Sequence, residues 1–321
     1  MRIAVTGGAG FIGSNLVKEL LKQNHFVRVL DNFSTGSEDN LKFDKDLEKN
    51  LQIYEDDITS YSACLTATSN IDYVFHLAAI PSVLVSVGNP MGTNEANIQG
   101  TLNILETSKF NGVKRVIFSS SSSIYGDQEG IVRKEDMKPN PLSPYALQKY
   151  TAETYCTLYS RLYGLQTISL RYFNIFGPKQ SPESMYAPVI PAFIKALMEE
   201  KSPTIYGDGG QSRDFTYVSN AVSANILAMQ KDKTSGEFLN VGCGKNISLN
   251  RLYGSLKEIF VSEINPIYDD PRAGEARNTL ADITLAKLFL GYEPLVSFED
   301  GLLKTVAFFQ RSANGVTKLN K

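Results

Sequence analysis

Residues 4–21 read AVTGGAGFIGSNLVKELL. An apolar run enters a cluster of glycines, and apolar residues at helical spacing follow it. Gly8-Ala9-Gly10-Phe11-Ile12-Gly13 satisfies the spacing GxGxxG. Glycines at those places permit a tight turn, let a pyrophosphate approach the backbone, and let the helix pack closely on the strand before it. The helix that begins there offers unpaired N–H groups and the positive end of its dipole to an anion. A glycine turn can also serve packing alone, so the surrounding sequence has to decide.

Asp31 closes the next apolar run, 18 residues after Gly13. A carboxylate there accepts both hydroxyls of an adenosine ribose and repels a 2′-phosphate, which argues for NAD rather than NADP. Its plain alternative is a solvated turn residue. Asp57 and Ile58, after the third run, are placed to hold the adenine. RIAVT (2–6), VRVL (27–30), LQIYE (51–55), YVFHLA (73–78), RVIFSS (115–120) and TISLRYF (167–173) read as strands. Their continuous apolar character suits parallel strands covered on both faces. Helical patterns between them predict a doubly wound parallel Rossmann sheet, an α/β fold. After residue 178 proline and glycine become dense and strands shorten, which predicts a smaller α+β substrate-binding domain. The expected division is 1–177 plus about 214–242 for the dinucleotide domain, and about 178–213 plus 243–321 for the second.

The 321 residues are 42% apolar and carry a net charge of −2, so nucleic acid and anionic membranes find no electrostatic reason to bind. No apolar stretch approaches the ~18 to 20 residues of a membrane span. Glycine appears by residue 7, too early for a signal-peptide core, so a cytoplasmic protein is expected. Cys64, Cys156 and Cys243 are widely spaced and lack a CxxC, and only His25 and His76 are present. Neither a disulfide framework nor a metal site is expected.

RVIFSSSSSIYG (115–126) places five serines, Ser119 to Ser123, at the carboxyl end of a strand, where ligands sit in open α/β sheets. Tyr145 and Lys149 follow at a spacing that puts both on one helix face. At this point the chain resembles the extended short-chain dehydrogenases/reductases. It shares TGGAGFIG (6–13), HLAA (76–79), a Ser/Thr ending the fifth strand and YxxxK, over essentially all residues to about 310. Within that family it is most similar to the nucleotide-sugar 4-epimerases, particularly those acting on UDP-N-acetylhexosamines.

The resemblance implies a catalytic set of Ser121, Tyr145 and Lys149. A phenol of ordinary pKa near ~10 is a poor base at neutral pH. The Lys149 ammonium and a positive nicotinamide are expected to favour the phenolate, so that Tyr145 takes the proton of a sugar 4-hydroxyl. By the same resemblance Asn32, Ser34, Thr35, Gly36, Leu77, Ala78, Ala79, Asn97, Ser119, Tyr172 and Phe173 join Gly7, Gly10, Phe11, Ile12, Gly13, Asp31, Asp57 and Ile58 around NAD. Phe173 is expected to close over the nicotinamide. Ser82, Ser122, Ser123, Asn174, Gln180, Val189 and Tyr206 would line the sugar-nucleotide pocket, with Arg213 and Arg272 clamping its phosphates.

Relatives that remove water or carbon dioxide carry an acidic residue in the serine loop, and this loop has none. The 4-keto intermediate then has one outlet, reduction from its other face. Seven residues after Arg272, where UDP-glucose-only epimerases carry a bulky tyrosine, stands Thr279. A small residue leaves room for an N-acetyl group. The expectation is an NAD-dependent 4-epimerase of UDP-N-acetylglucosamine that also takes UDP-glucose. A UDP-glucose-restricted enzyme and a silent NAD-sensing protein are the alternatives. Homodimerisation through helices around 94–111 and 143–163 is implied by the resemblance alone.

Overall fold

The computed structural model describes residues 1–182, 188–271 and 277–319, with side chains to residue 313. Seven strands form one all-parallel sheet: β1 (Arg2–Thr6), β2 (Phe26–Asp31), β3 (Leu51–Glu55), β4 (Tyr73–His76), β5 (Arg115–Ser121), β6 (Gln166–Tyr172) and β7 (Glu237–Val241). Their order across the sheet is 3-2-1-4-5-6-7. Alternation within each strand feeds two layers. Ile3 and Val5 of β1 face one cluster with α1 (Phe11–Lys22) and the late helix Val218–Gln230. Ala4 between them faces the other cluster, built on helices Tyr61–Thr68, Gly100–Phe110 and Pro144–Tyr163. Each fully buried aliphatic side chain contributes roughly 1.5–3 kcal/mol, and β1 and β2 are lined with them on both faces.

The strand order reverses between β1 and β4. Ligands of such sheets bind outside the carboxyl ends at that point. Four segments converge there: the glycine loop after β1, residues 77–80 after β4, the serines ending β5, and residues 173–180 after β6. The fourth strand is shorter than its apolar run suggests. YVFHLA stops being strand at His76 because Leu77 and Ala78 bend to meet the glycine loop, Ala78 N–H donating to Thr6 Oγ1 at 3.2 Å. The strand Glu237–Val241 was not recognisable among the runs, being short and half polar.

A smaller group of elements stands beside this sheet. Ser212–Arg213 pairs antiparallel with Ile247–Ser248 and parallel with Asn278–Ala281, whose other edge receives Val132–Arg133. Helices Val189–Met198, Leu249–Phe260 and Phe298–Leu319 close a third core around Phe176, Phe193, Leu252 and Leu302. Among the described residues no helix is long and apolar enough to cross a membrane, and no three His, Cys, Asp or Glu side chains group to hold a metal ion.

Candidate active site

Two glycines of the first loop have no room for a side chain. A Cβ on Gly7 would lie 2.6 Å from Ala78 N, and Gly7 has φ +70°. One on Gly13 would lie 2.1 Å from the Gly7 carbonyl oxygen. Gly10 caps α1 without a side chain, and the first turn holds no acid, so the N–H groups of Phe11, Ile12 and Gly13 face the loop without helix partners. That is an anion cradle. Asp31 is buried, its Oδ2 accepting from Ala9 N–H at 2.8 Å and its Oδ1 from Phe33 N–H at 2.9 Å. Each carboxylate oxygen keeps a second acceptor site for a ribose hydroxyl.

Asn32, Ser34 and Thr35 are exposed beyond Asp31, and Gly36 packs on Ala9. Burial pushes the Asp57 carboxyl up, but hydrogen bonds from Thr59 and Asn32 outweigh it and hold the group below its ordinary range. Ile58 lies under Gly100. Leu77, Ala78 and Ala79 are half-buried at the mouth of β4. Asn97 does not present its amide to the open site. Its Oδ1 accepts from Ile80 N–H at 2.8 Å and its Nδ2 donates to Gln148 Oε1 at 2.8 Å, so it holds the 77–80 loop in place. It sits in a π-helical turn, Glu95–Gln99.

The serine run divides by strand alternation. Ser121 Oγ caps the 3₁₀ turn Ser122–Tyr125, accepting from Ser123 N–H at 3.2 Å and lying 2.9 Å from Ser123 Oγ. Ser121 also lies beside the phenol of Tyr145, near enough to lower its pKa. Tyr145 stands in the first turn of helix Pro144–Tyr163, which Ser143 caps through Ala146 N–H and Pro144 starts. Its own N–H donates to Ser86 Oγ at 3.0 Å. Burial raises the phenol above its ordinary pKa, and the Ser121 bond opposes that rise.

Lys149 lies one helical turn after Tyr145 and is buried against β5. Its Nζ donates to the Ser119 carbonyl at 2.8 Å and stands 4.9 Å from the Phe118 ring centre, and burial lowers it to about 8. One of its three N–H donors is thereby engaged on strand β5. His76 bridges Thr6 Oγ1 at 2.7 Å and Thr101 Oγ1 at 2.9 Å, and burial, with the Lys149 charge second, takes it down to about 3. It is a neutral structural link.

Phe173 requires correction. It is 0% exposed, packed with its ring centre 6.1 Å from that of Tyr125, and has no surface with which to close over a nicotinamide. Tyr172 is nearly as buried, its hydroxyl tied to Asn225 Nδ2 at 2.6 Å and to Ser119.

Behind the serines lies a polar chain that no sequence motif marks. Ser120 Oγ donates to Glu153 Oε2 at 2.6 Å, and Glu153 pairs with Arg171 at 2.6 Å, both side chains almost wholly buried. Arg171 Nη1 donates to Tyr125 Oη at 2.8 Å, and Tyr125 Oη donates to Asn240 Oδ1 at 2.6 Å. Asn240 Nδ2 then donates to the carbonyls of Arg133 and Asp282. Glu153 had a sequence signal: with Tyr145 and Lys149 it forms an i, i+4, i+8 series on one helix face.

On the substrate side, Ser82 caps helix Val83–Gly88 through Val85 N–H, and Ser122 is half-buried in the serine turn. Asn174 has φ +36°, and its carbonyl accepts from Thr216 N–H. Gln180 is buried, its Nε2 on the Ile175 carbonyl and its Oε1 without a protein partner. Val189 opens its helix, and Tyr206 ends strand Thr204–Tyr206. Arg213 and Thr279 are register partners, Arg213 Nη1 donating to the carbonyls of Ser212 and Arg277 at 2.9 Å each. Thr279 Oγ1 is buried without a partner. Asp214, unremarked in the sequence, accepts from the N–H groups of Cys243, Gly244 and Ala281 and so braces three segments; burial raises it to about 6. Arg272 lies outside the described residues.

Comparison with known proteins fits this geometry. The profile of the "NAD dependent epimerase/dehydratase family" matches residues 3–242. A UDP-N-acetylglucosamine 4-epimerase from Methanobrevibacter ruminantium, solved with UDP-N-acetylmuramic acid, superposes with TM-score 0.92 at 40% identity, over 97% of this chain and 98% of that one. The Thermotoga maritima UDP-glucose 4-epimerase with UDP-glucose gives TM-score 0.92 at 40% identity, over 98% and 100%. A UDP-glucuronate 4-epimerase of Thermodesulfobacterium geofontis is 38% identical over 94% of each chain. The family match spans the glycine loop, the serine run and the Tyr145 helix alike, and the chain belongs to the NAD dependent epimerase/dehydratase family as a nucleotide-sugar epimerase with NAD as its cofactor.

Proposed function

We propose that the protein interconverts UDP-N-acetylglucosamine and UDP-N-acetylgalactosamine by inverting C4, and that it also epimerises UDP-glucose. The observation that carries the chemistry is the placing of Ser121 beside the Tyr145 phenol, whose pKa it lowers against burial, at the carboxyl edge of the sheet in a serine run that supplies no carboxylate. Residues 1–177 with about 214–242 hold NAD in this reading, and 178–213 with 243–321 hold the UDP-sugar. The α1 N-terminus takes the pyrophosphate, Asp31 the ribose, and Asp57 with Ile58 the adenine.

Bound NAD supplies the hydride acceptor at C4 and a positive nicotinamide ring, the charge that offsets the burial raising Tyr145. Tyr145 removes the 4-hydroxyl proton and later returns it to the alkoxide. Ser121 donates to the same oxygen while C4 is oxidised, and again when C4 is reduced. Lys149, anchored on Ser119, fixes the helix face that carries Tyr145 relative to β5. With no acid beside C5, elimination lacks its proton carrier, and the ketone is consumed only by reduction after the sugar turns over. Arg213 and Arg272 hold the diphosphate as the pivot.

The substrate reading rests on Thr279, a small side chain in register with Arg213. Thr279→Tyr is expected to clash with an acetamido group and not with a hydroxyl. Such overpacking costs about 1 to 3 kcal/mol, a change of about 5- to 150-fold in the ratio of rates on UDP-N-acetylglucosamine and UDP-glucose. A coupled assay of both sugars on the native and variant proteins, with folded fraction controlled, measures it. Equal losses on both would refute the substrate assignment.

The homodimer belongs to the same proposal. Phe110, Leu147, Leu158 and Leu162 are exposed on the two helices expected to pair, and apolar surface of that kind is characteristic of interaction sites. Sedimentation equilibrium should give a dimer, and Leu147→Glu/Leu162→Glu a monomer. A native protein that sediments as a monomer overturns this part.

A further inference from the structure

Beyond Asp31 the chain does not run out into solvent. Residues 32–43 fold back as a strap over the glycine loop. Asn32 Oδ1 accepts from Ser34 N–H at 3.0 Å and turns the chain. Gly36 then packs on Ala9, where a Cβ would lie 2.8 Å from the Ala9 carbonyl carbon. The Ala9 carbonyl accepts from both Ser37 N–H at 3.1 Å and Asn40 Nδ2 at 2.9 Å. Leu41 is buried in the core beneath. The near end of the strap is therefore fastened to the loop that cradles the phosphates.

Its far end is held by Lys179, which belongs to the segment after β6. Lys179 Nζ donates to the Asn40 carbonyl at 2.5 Å and stands 5.0 Å from the Phe43 ring centre. The residue has φ +72°, a left-handed conformation that a lysine adopts only when its surroundings hold it. They do: Asn15 Nδ2 of α1 donates to the Pro178 carbonyl at 3.2 Å, and Gln180 is fixed on the Ile175 carbonyl. The Lys179 side chain is half-buried, and that burial lowers the ammonium to about 8. The turn is shaped to aim Lys179 at the strap.

We infer that Lys179 is a latch that keeps the dinucleotide in place: by tying residues 40–43 to the substrate-side segment, it slows the opening of the strap through which NAD must leave. The inference rests on NAD occupying the glycine loop and Asp31. It gives the latch a reason, because epimerisation returns the cofactor to its starting state in each turnover and exchange serves no step. Lys179 touches neither sugar nor reacting atoms, so it is a positioning residue.

The test is a chase experiment on the holoenzyme. Protein loaded with radiolabelled NAD is mixed with excess unlabelled NAD, and bound label is followed by rapid gel filtration. Lys179→Met keeps the chain length and removes the donor. It is expected to release NAD at least ~10-fold faster, the loss of one charge-assisted hydrogen bond acting on the off-rate. With saturating NAD added, its kcat should stay within about twofold of native. Lys179→Arg, which restores donor and charge, should regain slow release. If Lys179→Met does not fold, Phe43→Leu, which removes only the ring beneath the ammonium, gives the same readout at smaller amplitude. Unchanged release in the variant that folds overturns the latch. So does a kcat deficit that persists in full at saturating NAD, since that would place Lys179 in turnover itself. Loss of epimerase activity in the native protein would strike the functional proposal and leave the release measurement intact.

Discussion

Tyr145→Phe is expected to fold, to carry NAD and to bind UDP-sugar, and to epimerise about 100- to 10,000-fold more slowly than the native protein, the usual share of a positioned acid–base group. The substitution deletes one oxygen and keeps the ring, so the packing of the helix start, capped by Ser143, is left alone. Ser121 loses the phenol oxygen beside it but retains Ser123 at 2.9 Å, which protects the turn from collapse. The loss should fall on kcat with little change in KM, because the phenol acts on the 4-hydroxyl proton rather than on the nucleotide. Steady-state kinetics and the NAD content of the purified variant decide the matter. Near-native turnover would remove Tyr145 from the chemistry.

Arg171→Met should be the most destabilising single change at the back of the site. Glu153 and Arg171 are 2% and 1% exposed, and breaking such a pair from one side leaves an uncompensated charge at a cost of about 3–5 kcal/mol. The urea midpoint should fall accordingly. Glu153→Gln/Arg171→Met carries no buried charge and should recover much of that stability. It should not recover kcat in full, because Ser120, next to Ser121, then donates to a neutral amide in place of a carboxylate. A double variant with native kcat would show that the pair serves the fold and does not position Ser121.

How much of this was legible before the structure follows from the kind of signal each residue carries. The glycine loop, Asp31 and the serine edge announce themselves through local spacing, since each does its work within one strand-to-helix turn. Thr279 and Arg213 carried meaning only through resemblance, because their register partnership joins segments 66 positions apart, as the Ser212–Asn278 bonds beside them record. The polar chain was harder still. Glu153 has a helical phase, but Arg171, Tyr125 and Asn240 sit on strands and a turn where a polar residue reads as exposed until its partners are known. Phe173 misled for the opposite reason: its place after β6 matches the family pattern, while its burial depends on Tyr125, which that pattern does not mention. Lys149 matched its motif, yet the carbonyl it serves belongs to a backbone position that side-chain spacing does not encode.

The bond from Tyr125 to Asn240 spans 115 positions, and this distance bears on how the protein is made. At a synthesis rate of about 5–20 residues per second, Tyr125 waits roughly 6 to 23 seconds for its acceptor to be added. Through the later part of that interval, once residue 172 has been made, β6 has no β7 beside it and presents an open strand edge. Such an edge is the part of a nascent chain most prone to pair with a neighbour. Closing so long a loop is also slow, because its entropy is lost before its contacts form. The wall behind the serine run is therefore among the last pieces to be assembled, and a growing chain has to be shielded until residue 241 arrives.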